Sequence, residues 1–282
     1  MGKKEIEYER DFRKSKNKKI KVSVIIVAYN TGKEIIDCLD SLKKQTNKEF
    51  DIIVVDNGNE NLDVLKNYDL FYIKLNKNYG PSLARNIGVS FSKSEIVAFL
   101  DDDAITDKNW VDGIISAFKD VKIQALRGKI LPKSKGKMFN YLASHYDLGD
   151  KIIPNYFGIE GNCAFRRNKY VKLGGFNPKL FGAEGLDISY RAFKKGYNTI
   201  YHPKVIIYHD YADSWKHFIE KNFRHGKKNR DLKSQDDEIH RFERQYIRGI
   251  PTKQKGIFLK TRGFLTKVLG FGFFKLGYYF GK

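Results

Sequence analysis

The chain has 282 residues, 41% of them hydrophobic, with 53 Lys and Arg against 33 Asp and Glu and a formal net charge of +20. Length and apolar content suffice for a sizeable core, as one large domain or a domain with an appendage. The excess of cations suggests an anionic partner (nucleic acid, anionic lipid or a phosphorylated substrate) or else a Lys-rich compositional bias, while Cys38 and Cys163, far apart and outside any CxxC pair, read as reduced thiols with neither a disulfide framework nor a zinc site in view.

In chain order, residues 1–19 are charged and aperiodic and read as a loose leader. They lack an apolar core of signal-peptide length, so a cytoplasmic location is expected. Val22–Ala28 (VSVIIVA) is a β-branched run suited to a strand buried on both faces. Gly32–Lys44 spaces Ile35, Ile36, Leu39 and Leu42 along one helical face. Asp51–Val55 and Leu70–Leu75 are further strands, Pro81–Phe91 is a helix with Pro in its first turn, and Glu95–Leu100 is a fourth strand. Strands alternating with helices predict βαβ units and a mostly parallel sheet flanked by helices. Beyond it, Trp110–Phe118 reads as helix, Val121–Leu131 and Ile159–Arg166 as strands, Leu186–Lys195 as helix, Val205–Tyr208 as strand and Trp215–Phe223 as helix.

In an open parallel sheet, ligands bind outside the carboxyl ends of the strands. Polar residues follow each of the first four strands: Tyr29 and Asn30; Asp56, Asn57 and Gly58; Asn76, Asn78 and Gly80; then Asp101, Asp102 and Asp103. The first turn, AYNTGKE, carries neither GxGxxG nor a Walker A loop. Phosphate would then be held by basic side chains, with Arg85 a candidate, or through a divalent cation on the aspartates. Mg²⁺ and Mn²⁺ take oxygen ligands and bridge carboxylates to phosphates, and a cation would relieve the repulsion among three adjacent carboxylates.

VSVIIVAYN, DIIVVDNG, NYGPSLARNIG, EIVAFLDDDA, GNCAFRRNKYVKLGGF, FGAEGLDISYRAFKKGY and VIIYHD, in that order, resemble the family-2 glycosyltransferases of GT-A fold over roughly residues 20–230. The resemblance implies inverting sugar transfer from a UDP-, GDP- or dTDP-sugar to a saccharide, glycolipid or glycoprotein, in surface polysaccharide or glycan synthesis, with Mn²⁺ or Mg²⁺. It divides the domain into a nucleotide half (about 20–104) and an acceptor half (about 105–230), leaving 231–282 as an extension. It makes Asp103 a metal ligand with Asp101, which also lies toward the ribose, and His209 an additional ligand. Tyr29, Asn30, Asp56, Asn57, Arg85, Asp101 and Asp102 form the implied donor-binding set. Asn162, Arg166 and Trp110 are the acceptor-side candidates, Trp110 as a sugar-stacking ring or as core.

Inverting displacement needs one carboxylate to take the acceptor proton and positive charge to stabilise the departing diphosphate. The family usually carries Glu-Asp at the base position, whereas this chain reads Glu184-Gly185. Glu184 is therefore expected to be the base. Asp187, at the helix start, is expected to satisfy backbone N–H groups or to orient, and is the alternative base.

From Arg244 onward there are nine Lys and Arg, nine aromatic residues and no Asp or Glu. If residues 257–282 are helical, Lys260, Lys267, Lys275 and Lys282 share one face, opposite Phe258, Leu265, Leu269, Leu276 and Tyr279. That division suits an anionic membrane surface, or packing on the catalytic domain or a second chain. Two other functions are compatible with the composition: nucleotidyl transfer on strand-end carboxylates, and polyanion or nucleic-acid binding. The first usually wants a Gly-rich basic loop after the first strand, and the second has no zinc-finger, RNP-like or helix-turn-helix signature here. A homo-oligomer is compatible with the sequence.

Overall fold

A computed structural model of the protein describes residues 8–12, 19–58, 62–133, 147–155, 161–180, 182–212, 214–234, 237–248 and 257–281. Its strands are β1 (Tyr8–Phe12), β2 (Val22–Ala28), β3 (Phe50–Asp56), β4 (Phe71–Leu75), β5 (Ile96–Asp101), β6 (Ile105–Thr106), β7 (Ala125–Leu131), β8 (Ile153–Pro154), β9 (Asn162–Arg166) and β10 (Thr199–Tyr208). Its α-helices are α1 (Lys33–Lys43), α2 (Pro81–Phe91), α3 (Trp110–Ala117), α4 (Arg167–Lys172), α5 (Glu184–Lys194), α6 (Trp215–Lys233), α7 (Glu238–Glu243) and α8 (Ile257–Phe280).

The strands form one sheet in the order β1-β4-β3-β2-β5-β9-β7-β10-β6, with β8 also on β10. β4, β3, β2 and β5 are mutually parallel, as are β7 and β10, while β9 runs antiparallel between β5 and β7. Side chains alternate across a strand, so the central strands feed two cores. Val24, Ile26, Val54, Ala98 and Leu100 join Ile35 and Leu39 of α1 and Trp110 and Ile114 of α3 on one face. Ile25, Ile53, Val55, Val97 and Phe99 join Ala84 and Val89 of α2, Tyr170 of α4 and Ile188 of α5 on the other. α2 approaches the sheet so closely that a Cβ on Gly88 would collide with Ile25. Burial on both faces is why these strands read as unbroken apolar runs. The chain has the expected mixed α/β architecture of a mostly parallel sheet flanked by helices.

Several elements differ from expectation. Tyr8–Phe12, assigned to the loose leader, pairs antiparallel with β4, and Tyr8 meets Phe91 edge-on at 5.5 Å between ring centroids. The rest of residues 1–18 lies outside the described residues. β7 begins at Ala125 rather than Val121, because Asp120 closes a turn by accepting from the Lys122 N–H. β10 begins at Thr199, six residues before the expected Val205. Its pairing with β7 shifts register between His202 and Ile206, where Pro203 has no N–H to donate, and that break masked the continuous strand.

α6 runs on to Lys233 and packs against α8. A Cβ on Gly226 would strike the Phe274 backbone, and one on Gly277 the Phe223 backbone. Gly270 meets Phe218 and Asn222, and Gly281 meets Lys227, so contacts ascend together along both helices and the pair is parallel. This divides α8 differently from the sequence pattern. Leu269 and Phe273 pack toward buried Phe218, while Leu276 and Tyr279, expected on the same apolar face as Leu269, are exposed. The side chains of Phe258, Lys260, Leu265, Lys267 and Lys282 lie outside the described residues.

Candidate functional site

The carboxyl ends of β2, β3 and β5 open into a cleft of about 620 Å³, closed on its far side by α6 and the start of α5. Asp101, Asp102 and Asp103 form its acid wall. Asp101 accepts from Arg85 Nη2 at 3.0 Å. Its carboxylate lies where a side chain at position 161 would begin, so Gly161 is required for that placement. Asp102 accepts from the Tyr29 N–H at 3.4 Å, and burial together with the flanking Asp103 and Asp101 pushes its carboxyl up to about 7. Asp103 lies 3.0 Å from His209 Nε2. Burial opposes the charge on Asp103, but His209, helped by Lys133 and Lys221, holds it down to about 2. His209 follows β10, and its N–H donates to Leu131 O at 2.8 Å.

Asp101, Asp103 and His209 each offer a ligand atom, all within 4.8 Å of one another. Two carboxylate oxygens and one imidazole nitrogen suit Mn²⁺, which accepts nitrogen beside oxygen, and Mg²⁺, which prefers oxygen with water completing the shell.

Opposite stands a basic wall that the sequence reading missed. α6 brings His217, Lys221, Arg224 and His225 to the cleft. Lys221 Nζ donates to Tyr211 O at 2.9 Å. Burial and the cations Lys221 and Arg224 depress His225 to about 3, so its imidazole is neutral, and it hydrogen-bonds to the Gly182 backbone. The spacing of His217, Lys221 and Arg224 (i, i+4, i+7) puts them on one helical face, the signal that could have found them.

Glu184 sits at the first position of α5, buried, between the two walls. Its carboxylate accepts from the Gly182 N–H, and Oε1 is 3.9 Å from Arg85 Nη1. Burial raises its carboxyl above the usual range, opposed by Arg85 and, less strongly, Arg224. Arg85 thus touches Asp101 with one nitrogen and faces Glu184 with another.

Tyr29 and Asn57 also line the cleft, Asn57 by accepting from the Tyr79 N–H and donating to Asn78 Oδ1, both at 2.9 Å. Other expected residues lie elsewhere. Asn30, exposed at φ 50°, turns the chain out of β2 and is not among the residues lining the cleft. Asp56 is buried below the rim, accepting from the Tyr72 hydroxyl. Asp187, expected to satisfy backbone N–H groups at the helix start, is the fourth residue of α5 and accepts instead from Arg191 Nε at 3.0 Å one turn along, also off the cleft lining.

The acceptor candidates are corrected more strongly. Trp110 is fully buried and donates from Nε1 to Asn162 Oδ1 at 2.9 Å. Asn162, also fully buried, donates to Lys129 O at 2.9 Å and Val205 O at 3.2 Å. The pair ties α3, β7, β9 and β10 together, and neither side chain reaches the cleft. Arg166 donates to the carbonyls of Ile123, Phe118 and Asp120 at the opposite end of the sheet, because antiparallel β9 carries it beside Ile96 at the start of β5.

Residues 23–178, more than half of the chain, match the model of Glycosyl transferase family 2. The O-antigen chain rhamnosyltransferase RfbN of Salmonella typhimurium is 27% identical over 211 residues, covering 68% of this chain and 67% of that protein. Glycosyltransferase AglE of Haloferax volcanii is 26% identical over 226 residues, 73% of this chain and 72% of that protein. Among solved structures, the mannosyltransferase PcManGT of Pyrobaculum calidifontis, in complex with GDP-Man and Mn²⁺, aligns with TM-score 0.60 at 16% identity, covering 94% of this chain and 79% of that one. S. aureus TarS 1–349 in complex with UDP aligns with TM-score 0.54 at 21% identity, covering 81% and 73%. These structures share the fold, and the matched segment holds the acid wall: the chain belongs to glycosyl transferase family 2.

Proposed function

We propose that the protein is a metal-dependent, inverting glycosyltransferase that moves a sugar from a nucleoside-diphosphate donor to a glycan or lipid-linked acceptor. The observation that carries this reading is the convergence of Asp101, Asp103 and His209 within 4.8 Å, beside buried Glu184 and facing the cations of α6. Membership of glycosyl transferase family 2 favours sugar transfer over nucleotidyl transfer. Kinship to an O-antigen rhamnosyltransferase favours a surface or secreted glycan as product. Cys38 and Cys163 are buried and not joined in a disulfide, which fits a reducing, cytoplasmic location.

Asp101, Asp103 and His209 would hold Mn²⁺ or Mg²⁺, which supplies positive charge to the diphosphate. Lys221 and Arg224 supply fixed positive charge from the opposite side, where leaving-group charge develops, in a cleft that partly excludes water. Glu184 takes the acceptor proton on its carboxylate. The Gly182 N–H and Arg85 fix that carboxylate and favour its ionised form against burial. Asp187 holds Arg191, whose guanidinium also donates to the Leu173 and Gly175 carbonyls and so ties the helix that carries Glu184 to the preceding loop.

Thermal unfolding with UDP, GDP and dTDP, each with and without Mn²⁺, tests the donor site. A ligand that binds only the native state raises the transition temperature. A metal-dependent rise with one nucleotide is expected; no rise with any of the three would refute this reading.

A further inference from the structure

We infer that the outer face of α8 is a docking surface for an anionic lipid bilayer. The glycine seam with α6 fixes which side of α8 faces the protein. Gly270, Phe273 and Gly277 point inward, whereas a Cβ on Gly272 would meet open space. On the outward side Val268 is 50% exposed, Phe271 54%, Leu276 46%, Tyr279 62% and Phe280 74%. Five large apolar side chains within thirteen residues of one helix make a patch of the kind that marks an interaction surface.

The charge composition of the segment that carries this patch selects its occupant. Residues 244–282 contain nine Lys and Arg and no Asp or Glu, so a protein partner would have to be strongly acidic and apolar at once. A bilayer with anionic headgroups offers both properties on one plane. Lys275 shows the side-chain arrangement such a plane needs. Its Nζ lies 5.2 Å from the Phe271 ring centroid, 5.9 Å from Tyr278 and 5.1 Å from Tyr279. Its ammonium sits over these rings and donates to the Tyr279 hydroxyl at 3.4 Å, and a lysine stem can lie along apolar surface while its charge meets headgroups. Aromatic residues with one polar end favour that same depth. No helix among the described residues is long and apolar enough to cross a membrane, so the contact is one of lying on the surface. The inference does not depend on the sugar or on the donor chemistry, because the face belongs to the side of α8 away from α6 and the cleft.

Co-sedimentation of the full chain with vesicles of phosphatidylcholine alone, and with about one third phosphatidylglycerol, tests it. The chain should partition onto the anionic vesicles, with binding reduced about tenfold by Phe271→Ser combined with Tyr279→Ser and measurably by Lys275→Glu. Nucleotide and Mn²⁺ binding, measured on the same samples, should stay at the wild-type level and so report an intact fold. If the double variant is damaged, Lys275→Glu alone decides the matter. Equal sedimentation of wild type and variants, or equal binding to neutral vesicles, overturns the proposal. So does the absence of vesicle binding with a self-association, seen by sedimentation velocity, that the same substitutions abolish; the face would then seat a second copy of the chain.

Discussion

The acid wall of the cleft stands on strand ends, whereas the basic wall stands on one face of a helix. Asp101 ends β5, a strand bonded on both sides, and Asp102 and Asp103 form the turn directly after it, closed by the Ala104 N–H donating to Asp101 O. Lys221, Arg224 and His225 depend on α6, whose place is fixed by side-chain packing and by the glycine seam with α8. The acid wall is short side chains on a rigid base. The basic wall is long side chains on an element that α8 must hold. Chemistry that needs fixed geometry is expected to fail outright when the first is altered, and by degrees when the second is.

The largest effect should fall between the walls. Glu184→Gln removes the proposed base while keeping its shape, so kcat should drop on the order of 10²- to 10⁴-fold with nucleotide affinity retained. Steady-state kinetics beside equilibrium nucleotide binding reads both. Next, Asp103→Ala should weaken Mn²⁺-dependent nucleotide binding about a hundredfold, as calorimetry would show; a loss equal with and without metal would move Asp103 out of the ligand set.

On the basic wall, Arg224→Ala should lower kcat/KM about tenfold to a hundredfold. It should also change the pH profile in a defined direction. Glu184 must be ionised to accept a proton, and burial already raises its carboxyl, with Arg85 and Arg224 opposing. Without the Arg224 cation the carboxyl titrates higher, so the acid limb of kcat/KM should move to higher pH. An unmoved limb would separate Arg224 from Glu184. The smallest effect tests the seam. Gly277→Leu forces a side chain against the Phe223 backbone, at a cost of about 1–3 kcal/mol in stability by chemical denaturation. Nucleotide affinity should fall with it while Mn²⁺ affinity at Asp101, Asp103 and His209 changes little.

The same contrast explains what could be read from the sequence. Val22–Ala28 and Pro81–Phe91 match the structure residue for residue, because both-face burial and a first-turn proline leave local signatures. Asp101–Asp103 were legible as the polar stretch at the end of an apolar strand, whereas His209 was singled out only through the family resemblance. The basic wall was not legible, because α6 is brought to the cleft by tertiary packing on α8 and on the Leu186–Tyr190 side of α5, which pattern does not encode. Trp110, Asn162 and Arg166 misled for another reason. Antiparallel β9 carries Arg166 to the far end of the sheet, whereas Asn162 stands beside Leu100 at the cleft end but turns its side chain inward to Trp110 and two backbone carbonyls, so all three serve the scaffold.

The short strand β1 has a consequence for solubility. β4 is the outermost of the parallel strands, and Tyr8–Phe12 supplies its remaining backbone partners along the whole of Phe71–Leu75. An uncovered strand edge is a template on which another chain can add, and β1 occupies it with only five residues, three of them the charged Glu9, Arg10 and Asp11. Tyr8–Phe12 therefore acts as an edge guard, and a shortened chain beginning near residue 20 would leave an apolar strand open to pairing between molecules.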